Sequence, residues 1–169
     1  MKAKKLVGLA LPIMLLAGVG CNKDSVEEKK TDNLQVSEEK SQDVSKVKAE
    51  KEYKSKLNSL MKDITKESLE LNEILNSTKP IEEKDTEFRE KSHAIYETAE
   101  KLVALDPGDK YLDVQNTVKE VTYALREGVS SIRNGLTMRD GSVVQQGGES
   151  MDKASKLIFE VDKKLKETK

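Results

Sequence analysis

Glu90-Lys91-Ser92-His93 is the stretch of this sequence whose spacing comes nearest to a reactive site. On a helix it sets a carboxylate and an imidazole on adjacent turns, the arrangement that metal-binding bundles repeat on two helices and complete with two further carboxylates. His93 is the only histidine in the chain, so the second copy cannot be assembled. It also sits about 100° from the stripe position at Ser92, on a flank of its helix, and a surface or boundary histidine is expected. Serine chemistry is equally unsupported, because no Gly-x-Ser-x-Gly occurs and only one histidine is available as a base. The many carboxylates alternate with lysines in the manner of solvated helix faces. Asp85 alone falls on an apolar stripe, and its place near a helix start predicts a partly exposed carboxylate favoured by the helix dipole. The expectation is no catalytic residue, no cofactor site, no metal ligand, and no enzyme.

Charge points to partners only locally. The formal net charge is -1, and nearer -4 once Lys2, Lys4 and Lys5 of the leader are set aside; no global basic field for nucleic acid is present. Between Lys46 and Lys66, however, seven lysines (46, 48, 51, 54, 56, 62 and 66) face Glu50, Glu52 and Asp63, a local net of +4. Contact with anionic lipid or an anionic cell-wall polymer is geometrically open there. The lysines go round the helix, which predicts an ordinary solvated face.

Cys21 is the only cysteine, which excludes an intrachain disulfide or a cysteine zinc cluster and asks why an exported chain carries one thiol. Ahead of it stand a positive start (Lys2, Lys4, Lys5) and an apolar run of 12 residues, Leu6 to Ala17, interrupted by Gly8 and Pro12. That is the length of a signal-peptide core and short of the roughly 20 apolar residues a spanning helix needs. Leu16-Ala17-Gly18-Val19-Gly20-Cys21 resembles the lipobox of bacterial lipoproteins, with Gly20 at the position before the cysteine and Gly18 where that family usually has Leu. The resemblance implies cleavage before Cys21 and a diacylglyceryl or acyl anchor on its thiol. An ordinary secretory leader cut at the same bond is the alternative, since Gly18 and Gly20 are also small-x-small.

Residues 1–20 are thus expected as a lipoprotein signal peptide and 21–43 as the lipidated cysteine and a disordered tether. The stretch from Asn22 to Asp43 is nearly all polar, with Val26, Leu34 and Val36 too sparse to define a face. A flexible segment of that length reaches roughly 25 Å. Residues 44–169 are expected as the folded domain.

Within 44–169 apolar residues recur at helical steps of three and four. The first helix, Val44 to Ser77, carries Tyr53, Leu57, Leu60, Ile64, Leu71, Ile74 and Leu75, with Ser68 in the missing turn. Thr78-Lys79-Pro80 ends it, and Pro80 with Glu82 and Glu83 suits the start of a second. The second stripe is Ile81, Phe88, Ile95, Ala99 and Leu102, with Asp85 and Ser92 as polar members. Asp106-Pro107-Gly108-Asp109 reads as a helix cap. The third stripe, Tyr111, Val114, Val118, Val121, Leu125, Val129, Ile132 and Leu136, is the most regular and ends near Gly135. Ser142 with Gln145 reads as a capping box for a fourth helix carrying Val144, Gly147, Met151, Ala154, Ile158, Val161 and Leu165. Gly147 and Gly148 either let a neighbouring backbone come close or break that helix; the break is the favoured expectation, with the helix then starting near Glu149.

Four amphipathic helices with short connections predict an all-α, antiparallel up-down bundle about 40 Å long. Three helices with a long projecting first one are the alternative. The leader, the Lys/Glu/Ser-rich tether, Gly135-Leu136, Asp140 and Ala154-x-x-Leu157 together resemble small uncharacterised lipoproteins of Bacillus-like Gram-positive bacteria. That resemblance implies a lipid-anchored protein on the outer face of the cell membrane, with Cys21 as its only assigned residue. The function expected is a tethered module that binds a protein or cell-wall component, or alternatively a carrier holding an apolar molecule or lipid between its helices.

Overall fold

The computed structural model describes residues 39–168, with side chains from residue 45 onward. It is an all-α bundle of four helices: α1 (Glu39–Asn76), α2 (Ile81–Val103), α3 (Leu112–Met138) and α4 (Gly141–Glu167), with a 3-10 turn at Asp109–Tyr111 leading into α3. Cross-helix pairs fix the directions. Glu70 faces Lys91 and Glu67 faces Thr98; Asp85 faces Thr137 and Glu100 faces Arg126; Gly135 meets Val144 and Thr117 meets Lys164. In every pair a rise along one helix is a fall along the next, so the four run up and down.

The apolar stripes supply the core. Tyr53, Leu57, Ile64 and Leu71 of α1, Phe88, Ile95 and Leu102 of α2, and Met151, Ala154 and Val161 of α4 are buried. The whole expected stripe of α3, from Tyr111 to Leu136, is buried as well. Packing periodicity overrides the strand preference of its valines. α3 is covered over more than one stripe, because Gln115, Thr117, Thr122 and Gly128 are also buried. It packs directly on both α2 and α4 and receives Tyr53 of α1 through Gln115.

Four boundaries differ from the sequence reading. α1 starts at Glu39, before the expected Val44; Glu, Lys and Gln are good helix formers and need no apolar face to extend a helix already packed further along. At 38 residues it is about 57 Å long against 35 to 40 Å for the others. Its overhang is exposed from Ser45 to Ala49, and Tyr53 is the first buried residue among its described side chains. The bundle therefore combines four packed helices with a projecting first one.

Asp106 caps only a tight turn, accepting from the Gly108 amide at 3.0 Å, while Gly108 takes φ +55°, a conformation open to glycine at no steric cost. α3 starts after that turn, beyond Pro107. The cap of α4 is Asp140 and not Ser142: its carboxylate accepts from the Ser142 amide at 2.9 Å and hydroxyl at 2.7 Å. Gln145 instead turns forward to Glu149.

The glycines of α4 do not break it. Gly147 and Gly148 are buried inside an unbroken helix, and the reason lies on α3. A Cβ on Gly147 would stand 2.7 Å from the Gly128 carbonyl oxygen and 2.8 Å from the Ile132 amide nitrogen. A Cβ on Gly135 would stand 2.6 Å from the Val144 amide nitrogen. Gly128, Gly135 and Gly147 let the two backbones approach more closely than any side chain would allow, and this contact offsets the entropic cost of glycine in a helix.

Candidate functional site

The residues with reactive potential are kept apart. Glu90 and His93 both point into solvent on α2, and among the described residues no three His, Cys, Asp or Glu side chains gather as a metal-holding group. Asp85 is half-buried at the start of α2, paired with Arg89 at 3.4 Å and accepting from the Thr137 hydroxyl at 3.2 Å. Its carboxylate is engaged in tying α2 to the end of α3. Cys21, the leader and the tether up to residue 38 lie outside the described residues.

Three polar groups that the stripe pattern did not single out are buried or half-buried between helices. Tyr53 donates its hydroxyl to Gln115 Oε1 at 2.9 Å, and Gln115 Nε2 donates to the Leu102 carbonyl at 2.9 Å and the Val103 carbonyl at 3.3 Å. The amide thus reaches the C-terminal carbonyls of α2, of which Leu102 also accepts from the Leu105 amide at 3.3 Å. Burial, reinforced by Tyr111, pushes the Tyr53 phenol up to about 12. The two tyrosine rings stack at 5.3 Å, with Lys54 and Lys110 over Tyr111 at 5.1 and 5.7 Å.

Glu67, half-buried between α1 and α2, accepts from the Thr98 hydroxyl at 2.8 Å through Oε1, while Oε2 is buried without a partner. Desolvation pushes this carboxyl above the ordinary glutamate range, against the Thr98 hydrogen bond, which lowers it. Lys164 is held above the ordinary lysine value by its hydrogen bond to Asp113 at 3.1 Å. It also donates to Thr117 at 2.9 Å, binding the end of α4 to the start of α3. Gln115 lies one place off the α3 stripe and Glu67 among alternating charges, so neither carried a periodic signal.

The cavity among Ser68, Leu71, Asn72, Leu75, Phe88, Ile132 and Met151 measures about 10 Å³, near the minimum for one water. A shallow cleft of about 400 Å³ opens on the surface between the end of α1 and the start of α2. Its own charges cross it, Lys79 pairing with Glu87 and Lys91 with Glu70.

Along α1, Lys46, Lys48, Lys51, Lys56, Lys62 and Lys66 are exposed and Lys54 is half-exposed over Tyr111. Lys56 pairs with Glu52 at 2.7 Å, and Lys110 takes Glu50 at 2.7 Å. Two of the three carboxylates in this stretch are therefore engaged, Glu50 by a lysine outside α1.

These features define a class: an antiparallel four-helix module whose buried polar groups hold its helices together, with charge spread over the outside. Residues 43–163 match the family described as Domain of unknown function (DUF7018), and the chain belongs to that family. No curated protein and no solved structure matches it.

Proposed function

We propose that this protein is a membrane-tethered interaction module. It is exported, held by a lipid on Cys21 at the outer face of a bacterial cell membrane, and presents charged helix faces to a protein or an anionic cell-wall component. One observation carries the reading. Between the helices, the space lined by Leu71, Phe88, Ile132 and Met151 measures about 10 Å³, against roughly 300 to 1,000 Å³ for a small-molecule site. Binding is left to the outer surface of a chain in which 36% of residues are charged.

The same packing supports the module over the carrier, which needs room between helices for an apolar ligand. A non-catalytic role is supported by Asp85, Gln115 and Lys164, whose polar atoms are committed to neighbouring helices. The anchor is supported by the leader and by the single cysteine at its end. No helix among the described residues is long and apolar enough to cross a membrane.

Metabolic labelling with a clickable fatty acid tests the anchor. Label is expected on the wild-type chain and not on Cys21→Ser, and label retained by the variant overturns it. Crosslinking in intact cells with mass spectrometry tests the module: a reproducible neighbour is expected, and recovery of bulk membrane proteins alone counts against it.

A further inference from the structure

The outer face of α1 carries a cationic ridge. Taken round the helix at 100° per residue, Lys48, Lys51, Lys62 and Lys66 fall within an arc of about 60° although the seven lysines as a set encircle it. They lie opposite the buried Tyr53, Leu57, Ile64 and Leu71, and all four are exposed. The ridge runs about 27 Å along the helix, and between its two lysine pairs the outward positions are Ser55, Asn58 and Ser59, which are neutral. Lys48, Lys51 and Lys62 enter no ion pair among the described residues, and Lys66 reaches Glu70 only at 4.0 Å. Lys48 acts on Glu52 through space, helping to hold that carboxyl low.

The edges of the ridge set the shape of its partner. On the side toward α2, Glu52, Asp63 and Glu70 border it, and Glu73 closes its far end. A flat anionic bilayer laid on this face would meet those carboxylates together with the lysines. A single polymer strand one chain wide can keep to the lysines and to the side away from the acids, where Asn58 and Leu69 lie, although Glu52 and Glu70 stay within the roughly 8 to 10 Å over which exposed charges act in physiological salt.

We propose that the outer face of α1 binds a linear polyanion, laid lengthwise along Lys48, Lys51, Lys62 and Lys66. This deepens the interaction-module reading and rests on it for where the polymer is met, while the binding itself is independent of the anchor.

The test uses the full chain in zwitterionic detergent and fluorescently labelled long-chain inorganic polyphosphate, followed by anisotropy at several salt concentrations. Replacing the four ridge lysines by Gln is expected to weaken binding about 10-fold or more and to flatten the log-log salt slope by about 3. Replacing Lys119, Lys153, Lys156 and Lys163 by Gln removes the same charge from exposed positions on α3 and α4, and should change affinity less than about 2-fold if placement decides. Circular dichroism establishes that both variants fold. Equal losses in the two variants, or no saturable binding by the parent chain, overturn the proposal. Displacement of polyphosphate by phosphatidylglycerol micelles with equal potency per phosphate also overturns it, by making the face a membrane contact. Fatty-acid labelling of the ridge variant stays as in wild type, so failure of the ridge and failure of the anchor are read separately.

Discussion

Tyr53 and Gln115, 62 residues apart in the chain, share a buried hydrogen bond of 2.9 Å that joins α1 to α3. Through the Gln115 amide the same link reaches the carbonyls of Leu102 and Val103 at the end of α2. One side chain therefore ties three helices at one end of the bundle.

Tyr53→Phe leaves the Gln115 carbonyl oxygen buried without its donor, and a loss of about 1 to 2 kcal/mol is expected. Gln115→Leu strands the tyrosine hydroxyl and removes the side-chain donor to the α2 carbonyls, so it should cost more, about 2 to 4 kcal/mol; urea unfolding checks both. The raised phenol adds a pH signature. An unfolded chain loses this proton near 10, whereas the folded chain keeps it to about 12. The folded state thus binds more protons between those values, and the contribution of Tyr53, complete below pH 10, is lost as pH rises through that window. In Tyr53→Phe this part of the alkaline decline should disappear.

Gly147→Ala runs against the usual gain from replacing a helix glycine. Its Cβ would meet backbone atoms of Gly128 and Ile132 under 3 Å, so α3 and α4 must part, at an expected cost of about 1 to 3 kcal/mol. Gly141→Ala is the control, since a Cβ there meets nothing within 4 Å. Thermal unfolding should show Gly147→Ala well below wild type and Gly141→Ala at or slightly above it.

Glu67 makes stability fall with rising pH. Its folded carboxyl titrates above the ordinary value of 4.5 because it is desolvated, so the folded state holds the proton more tightly than the unfolded chain. Its contribution is most favourable below that value and declines as pH rises through the raised one. Glu67→Gln puts a neutral group in place of the unpartnered Oε2. The variant is expected to be as stable as wild type or more so at pH 7, with a flatter profile above pH 4.5 in urea titrations. A steeper profile in the variant would contradict this account.

The α3–α4 connection can be improved and damaged separately. Arg139 is left-handed at φ +57°, with its amide bonded to the Leu136 carbonyl and that of Asp140 to the Gly135 carbonyl, the geometry that ends helices most readily with glycine. Arg139→Gly relieves the left-handed strain, and the exposed pair it gives up with Glu82 is worth little, so a net gain of roughly 0.5 to 1 kcal/mol is expected. Asp140→Ala removes the α4 cap and should lower Tm by roughly 2 to 4 °C, while Asp140→Asn keeps it. The hydrogen bonds from Ser142 hold the Asp140 carboxyl below its usual range. Its contribution is therefore present above the unfolded value near 3.8 and lost as pH falls through the lower folded one.

How far the sequence could be read follows from what each residue answers to. Val114, Val118, Val121 and Leu125 were legible because their steps of three and four describe a helix face without reference to anything else. Pro80 was legible because it acts on its own backbone. Asp140 was missed as a cap because it both follows the α3 turn and opens α4, a double use that Ser142 and Gln145 imitate locally. The lysine ridge of α1 was hidden among seven lysines until the direction of the core separated the outward four.

By itself the sequence determined the helices, their apolar faces and the antiparallel order that short connections impose. Those features rest on chemistry within a few residues of one another. The tertiary structure alone decided that Gly147 is a close contact and no break, that Gln115 is a buried tie and no surface amide, and that Glu67 is desolvated. In each case another helix decides: Gly128 and Ile132 of α3 for Gly147, Tyr53 of α1 for Gln115, and the packing of α2 on α1 for Glu67.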